Sequence, residues 1–377
     1  MRKQRWLGAS AGLVSLMLVL AACQSSSSAS ASAGGGSTAE SAAPSGSSYL
    51  ACEVTDTGGV NDKGFNQNAH DGLLKAEADF GIQTKTLEST ADTDYAPNLV
   101  TMKDAGCDLI VTVGFLLGDA TRAAALLNPG IQYAIVDFAY DPAIPNILGL
   151  VFDTKSASML QGYLAAGMSK TGKVGTFGGV QITPVTDFMN GFAAGIKYYN
   201  KQKTANVKLL GWDPVTQTGS FTGDFENQTN GRDLAEGFMQ SGADVIFAVA
   251  GPVGIGAMTA VKDNASNLDP APMFIGVDVD QFLSVPGNED IMLSSVLKRI
   301  DNAVYAAIKA AMAGPFTSNL YVGDLKNEGV GVAPFHNFDS KVPQALKDEV
   351  AALQAALIDG SVTADGFSGQ PPASAAP

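Results

Sequence analysis

Leu109-Ile110-Val111-Thr112-Val113 and, further along, Val245-Ile246-Phe247-Ala248-Val249 are short, nearly unbroken apolar runs rich in β-branched residues. A strand with one wet face alternates apolar and polar side chains. A run without alternation suits a strand covered on both faces, as in a parallel sheet between helices. Outward from each run the chain alternates strand and helix. Around the first, strands are expected at 49–54, 83–88, 109–113, 132–136 and 147–152, with helices at 64–80, 95–105 and 118–127. The helix at 64–80 puts Ala69, Leu73, Ala76 and Phe80 on one face. Around the second, helices at 156–168, 185–200, 231–241 and 255–263 alternate with strands at 173–177, 207–212, 244–249 and 273–277.

Alternation of this kind implies right-handed crossovers and doubly wound sheets. Two such series make two α/β lobes, each a doubly wound parallel sheet, with a ligand cleft between them. The later segments, a strand at 292–297, a helix at 302–313 and a strand at 329–333, complete sheets already begun, so the chain crosses between lobes more than once. The expected division is 49–150 plus about 298–315 for lobe 1 and 151–297 plus about 316–340 for lobe 2. A C-terminal helix falls in 341–367, and 368–377 reads as a disordered tail of Pro, Ser and Ala.

The N-terminus reads as an export signal over residues 1–22. Arg2, Lys3 and Arg5 precede an apolar stretch from Trp6 to Leu20, and Leu20-Ala21-Ala22-Cys23 resembles a bacterial lipobox. Cys23 would then carry lipid and begin the mature chain. Residues 24–48, nearly all Ser, Ala and Gly, have too little apolar surface to fold and are expected to tether a domain to the outer face of the cytoplasmic membrane. No later segment reads as a membrane span, which leaves the lipid as the expected anchor.

The chain has 23 basic and 37 acidic residues, a net charge of −14, and three of the basic ones lie in the export signal. Such a surface argues against nucleic acid as a partner. The two histidines, His70 and His336, are too far apart in sequence to suggest a zinc site. Cys52 and Cys107 read as two buried thiols, although an extracytoplasmic compartment permits a disulfide.

Ligands of open α/β sheets bind beyond the carboxyl ends of the strands. Several polar or glycine-rich clusters follow strands here. One runs from Asp56 through Asn61, Asp62, Phe65 and Asn66. Others are Val136-Asp137-Phe138, Gly219 to Asp224 with Phe221, Gly251 to Gly256, Gly276 to Gln281 with Asp278, and Ser294 to Arg299 with Lys298. Gly251-Pro252-Val253-Gly254 lacks the Gly-Lys-Ser/Thr ending of a phosphate loop.

Gly58 to Asn66, Gly219 to Asp224, Gly276 to Gln281 and Ser294 to Arg299, in that order behind a lipobox, resemble the basic membrane protein family of substrate-binding lipoproteins. The resemblance covers roughly Ala51 to Phe338. It implies the type I periplasmic-binding fold and a purine nucleoside as ligand. The implied partners are the permease and ATPase subunits of an ABC importer, with no cofactor. It also implies roles: Phe65 stacks on the base, and Asn61 and Asp62 meet its polar edge or the sugar. Asp137 contacts the base, Phe221 is the second ring with Trp212 and Phe225 as competitors, Asp278 takes the ribose hydroxyls and Lys298 assists. Two positions depart from the family pattern. Gly64 stands where serine is usual, and Gly251-Pro252-Val253-Gly254 stands for Gly-Gly-Thr-Gly. No catalytic activity is expected, since no nucleophile–base pair is visible. A ligand-sensing lipoprotein of the same fold and a secreted nucleoside hydrolase are the alternatives.

Overall fold

The structure, a computed structural model, describes residues 47–364. The expected export signal, Cys23 and the residues read as a tail therefore lie outside the described residues, as does nearly all of the expected tether.

The first series folds as β1 (Leu50–Thr55), α1 (Phe65–Phe80), β2 (Gln83–Leu87), α2 (Tyr95–Asp104), β3 (Leu109–Val113), α3 (Gly118–Leu127), β4 (Gln132–Val136) and β5 (Ile147–Phe152). The second runs α4 (Thr154–Met168), β6 (Lys173–Gly178), α5 (Thr183–Lys203), β7 (Lys208–Leu210), β8 (Trp212–Asp213) and β9 (Thr218–Gly219). It continues with α6 (Gln228–Gln240), β10 (Val245–Val249), α7 (Pro252–Asn264), β11 (Met273–Asp278), α8 (Gln281–Ser284) and β12 (Met292–Lys298). Last come α9 (Ile300–Ala313), β13 (Leu320–Gly323), β14 (Val330–Val332) and α10 (Gln344–Asp359).

The sheet orders are β13-β5-β4-β3-β1-β2 and β14-β12-β11-β10-β6-β7. All pairings in the first are parallel, and in the second only β14 runs antiparallel. The orders match strand for strand, so β1 corresponds to β6, β3 to β10 and β4 to β11. The central apolar runs are buried throughout, which is why they do not alternate. Helices α1 and α9 cover one face of the first sheet and α2 and α3 the other. In the second lobe α4, α5 and α10 cover one face and α6 and α7 the other.

The chain passes between lobes in three places: 152–154, 298–300 and 323–330. Residues 316–340 are therefore not all in lobe 2. β13 pairs in parallel with β5 and extends the first sheet, while β14 belongs to the second. The four-residue strand Leu320–Gly323 is too short for its pattern to have marked it. The C-terminal helix is not a separate unit either, because α10 buries Leu346, Val350 and Leu353 in the lobe 2 core.

Cys52 and Cys107 form a disulfide rather than two thiols. β1 and β3 are neighbours, and their register brings the two Cα atoms to 5.9 Å, within the range a disulfide spans.

Candidate functional site

A cavity opens at the carboxyl ends of strands from both sheets and holds about 600 Å³ of space, its mouth included. Lobe 1 contributes Asp56, Asp62, Phe65 and Asn66 after β1, Phe115 after β3 and Asp137 after β4. Lobe 2 contributes Pro184 and Phe188 after β6, Phe225 from the 220–227 loop, Gly251 and Pro252 after β10, Asp278 from β11 and Lys298 from β12.

The electrostatic centre is Lys298, the last residue of β12, only 2% exposed. Its Nζ lies 2.5 Å from Asp137 Oδ2, so the ion pair joins the end of a lobe 2 strand to the end of a lobe 1 strand. The same ammonium sits 4.8 Å from the ring centroid of Phe65, 5.2 Å from Phe152 and 5.8 Å from Phe188. Aromatic faces and one carboxylate thus replace the water a buried ammonium loses. The carbonyl of Lys298 accepts from Asn68 Nδ2 of α1 at 2.7 Å, which ties the end of β12 to lobe 1.

Asp137 and Asp278 occupy corresponding places, the ends of β4 and β11, and both have left-handed backbone, with φ of 70° and 66°. Left-handed backbone is uncommon outside glycine, and such strain concentrates at functional sites. Burial pushes the Asp278 carboxyl up to about 7, with Lys298 opposing and Asp137 and Asp62 adding to the rise. Asp56 goes further. Burial pushes it up to about 8, the Asn66 hydrogen bond and Lys298 oppose, and Asp62 and Asp137 reinforce. Its Oδ1 accepts from Asn66 Nδ2 at 3.0 Å. Gly114, after β3, makes room for this carboxylate, since a Cβ there would fall 2.2 Å from Asp56 Oδ2.

The candidate residues separate on this geometry. Asp62, Phe65, Asn66, Asp137, Gly251, Asp278 and Lys298 come together around the cavity. Asp62 also caps α1: its carboxylate accepts from the N–H groups of Gly64, Asn66 and Gln67 at 2.9, 2.8 and 3.0 Å. Asn61 is exposed and outside the cavity lining. Phe221 is outside as well. It pairs with Gly178 at the end of β6 and meets Trp212 edge-on, the ring centroids 5.8 Å apart. Gly178 and Gly179 explain this exchange. A Cβ on either would collide with a ring, Phe221 at 2.6 Å and Phe225 at 2.4 Å, so the loop docks both, and Phe225 reaches the cavity.

Sequence reasoning placed Asp56 in the first polar cluster without giving it a role, and left out Phe115, Pro184 and Phe188. Asp56 carried a usable signal, because like Asp137 it directly follows a strand. Phe188 lies in α5 and no local pattern marks it. The two histidines lie outside the lining: His70 Nδ1 pairs with Glu53 Oε2 at 2.8 Å, and His336 Nε2 with Asp280 Oδ2 at 2.7 Å.

Comparison with known proteins extends these observations. A family model described as ABC transporter substrate-binding protein PnrA-like matches residues 50–361. Basic membrane protein A of Borreliella burgdorferi is 32% identical over 327 residues, covering 84% of this chain and 90% of that protein. The CD4+ T-cell-stimulating antigen of Listeria monocytogenes is 32% identical over 332 residues, covering 84% and 88%. Among solved structures, an ABC transporter solute-binding protein from Aeropyrum pernix matches with a TM-score of 0.75 at 25% identity, over 84% of this chain and 92% of that one. The two-lobed parallel architecture expected from the apolar runs is that of these periplasmic-type binding proteins.

Proposed function

The chain belongs to the PnrA-like family of ABC transporter substrate-binding proteins, and from that premise we propose that it captures a purine nucleoside in the interlobe cleft for import. Proteins of this family are extracytoplasmic, bind small molecules and work with permease partners. The observation that carries the finer reading is that aromatic rings and buried carboxyl groups from both lobes line one cavity. A flat base is well served by the faces of Phe65 and either Phe188 or Phe225. Sugar hydroxyls are well served by Asp278, because hydrogen bonds to a charged acceptor are stronger than neutral ones. Asp137 and Lys298 can turn part of their mutual pairing toward polar atoms of the ligand.

In this reading the lipidated Cys23 keeps the receptor beside its permease, and the protein has no catalytic role of its own. A thermal-shift screen with adenosine, guanosine, inosine, pyrimidine nucleosides, free bases and simple sugars tests the ligand class, since a ligand that binds only the folded state raises its melting temperature. Purine nucleosides are expected to give the largest rise. A larger rise with sugars or free bases would replace this reading.

A further inference from the structure

Lobe 2 carries a second groove, at the end away from the cleft. The cleft lies at the carboxyl ends of the strands. This groove lies at the amino ends, where β11 and β12 begin and α4 stops. It holds about 850 Å³ of space, its mouth included. Its floor is made of core residues, the buried Met168, Met273, Ile291 and Phe338. Pro270 and Pro272 stand in its wall, and because proline fixes its own backbone the groove is largely built before anything enters it. Methionine side chains adapt their shape to what they meet, so a floor of this kind suits a flexible hydrocarbon chain.

The charges at the rim indicate what else the occupant carries. Lys170 and Lys341 both line the groove and are exposed. The loop that presents Lys170 is held by the buried Asp244, whose carboxylate accepts from Ser169 Oγ and from the N–H groups of Lys170 and Thr171 at 2.6, 2.6 and 3.0 Å. Lys341 Nζ lies 4.1 Å from the ring centroid of Phe338. Among the described residues no carboxylate pairs with either ammonium, and the lining has one carboxylate, the exposed Asp290. More positive charge gathers at the same end. Lys173 and Lys208 open β6 and β7 side by side, a placement in which like charges repel, and residues 188–212 hold four lysines and no Asp or Glu. In a chain of net charge −14, this end draws anions where the molecule as a whole repels them.

We propose that the groove is a second ligand site, for a free anionic amphiphile: a hydrocarbon chain on the buried floor and an acidic head group between Lys170 and Lys341. A free molecule fits better than a membrane surface. The two sheets turn their carboxyl ends toward one cavity, so their amino ends point apart. The described chain enters at Ser47, ahead of β1, at the amino end of the first sheet. The groove and the expected membrane tether therefore stand at opposite ends of the molecule. The proposal does not depend on what the cleft binds.

Calorimetric titration of the mature chain at constant ionic strength tests it, with three probes of equal chain length kept below their micelle concentrations: decanoate, decyl maltoside and decyltrimethylammonium. Decanoate is expected to bind saturably and about three- to thirty-fold more tightly than the other two. Equal binding of all three, or none by decanoate, overturns the proposal. Replacing Lys170 and Lys341 together with alanine should bring decanoate to the level of decyl maltoside, and an unchanged preference overturns the role given to the two lysines. Both lie on the surface, so this variant should fold. Ala271→Trp puts a large ring at an exposed position in the groove wall and should abolish decanoate binding with the melting temperature unchanged. Decanoate binding that survives Ala271→Trp but is lost in Phe188→Ala places the probe in the cleft and overturns the site. Co-sedimentation with phosphatidylglycerol vesicles that is lost in the double lysine variant, without any binding of decanoate, would assign the lysines to a membrane surface and overturn the proposal.

Discussion

Asp56 and Asp278 set the character of the site at the level of single residues. Both hold their proton far more tightly in the folded chain than an unfolded Asp does, at about 8 and about 7 against an ordinary value near 4. Folding therefore takes up protons in that window. The stability these groups contribute is present in acid and is lost as the pH rises through their folded values. The ligand-free protein should thus melt at a lower temperature at about pH 8.5 than at about pH 5.5. Asp56→Asn should flatten that fall, recovering on the order of 2 kcal/mol of the loss between the two pH values, as read by thermal unfolding across the range. A melting temperature that rises over this interval, or an unchanged slope in Asp56→Asn, would contradict the assignment. Three residues of the site could be read from one local rule, that a carboxylate at the end of a buried strand faces the cleft: Asp56, Asp137 and Asp278. The rule says nothing about rings. Phe221 and Phe225 lie four residues apart in one loop, and Gly178 and Gly179, distant in sequence, decide which of them reaches the cavity.

Sequence patterning was most informative at the scale of elements. Buried strands such as β3 and β10 showed as apolar runs because both faces are covered. The long helices showed by their period. Short edge elements did not, and β13 was missed because four residues on the rim of a sheet bury too little to impose a pattern. Pairing between elements was also hidden. Cys52 and Cys107 are 55 residues apart, and only the adjacency of β1 and β3 makes them neighbours. Closing a loop of that length should stabilise lobe 1 by about 4 kcal/mol through the unfolded state. Replacing both cysteines with serine should lower the denaturation midpoint accordingly, and an unchanged midpoint would show that the bond does not form. In lobe 2, α4 and α5 pack backbone to backbone through glycines. A Cβ on Gly195 would fall 2.1 Å from the carbonyl oxygen of Met159, and one on Gly162 would fall 2.0 Å from that of Phe192. Gly195→Ala should therefore cost about 2 kcal/mol or more in urea unfolding, a large effect for one methyl group. A neutral result would mean that these helices separate freely.

For the whole molecule, the matching strand orders explain how two sheets present one cavity. Corresponding strand ends face each other, and the three crossings at 152–154, 298–300 and 323–330 form the hinge. Lobes joined in this way can close on a ligand. Contacts already span them, among them Lys298 with Asp137, Asn68 Nδ2 donating to the Lys298 carbonyl at 2.7 Å, and Ser284 Oγ donating to the Lys63 carbonyl at 2.9 Å. Small-angle scattering of the mature chain should show a smaller radius of gyration at saturating ligand, and an unchanged radius would count against closure. The location of the cavity followed from the sequence, because strand ends are where α/β sheets bind.

In the proposed complex a purine nucleoside sits between the lobes with its hydroxyls on Asp278. Calorimetric titration of the wild-type and Asp278→Ala proteins with the best purine nucleoside addresses it most directly. Binding by the wild type is expected, with a loss of about 1.5–3 kcal/mol in the variant, roughly ten- to two-hundred-fold in affinity. Equal affinity in the two proteins would contradict it.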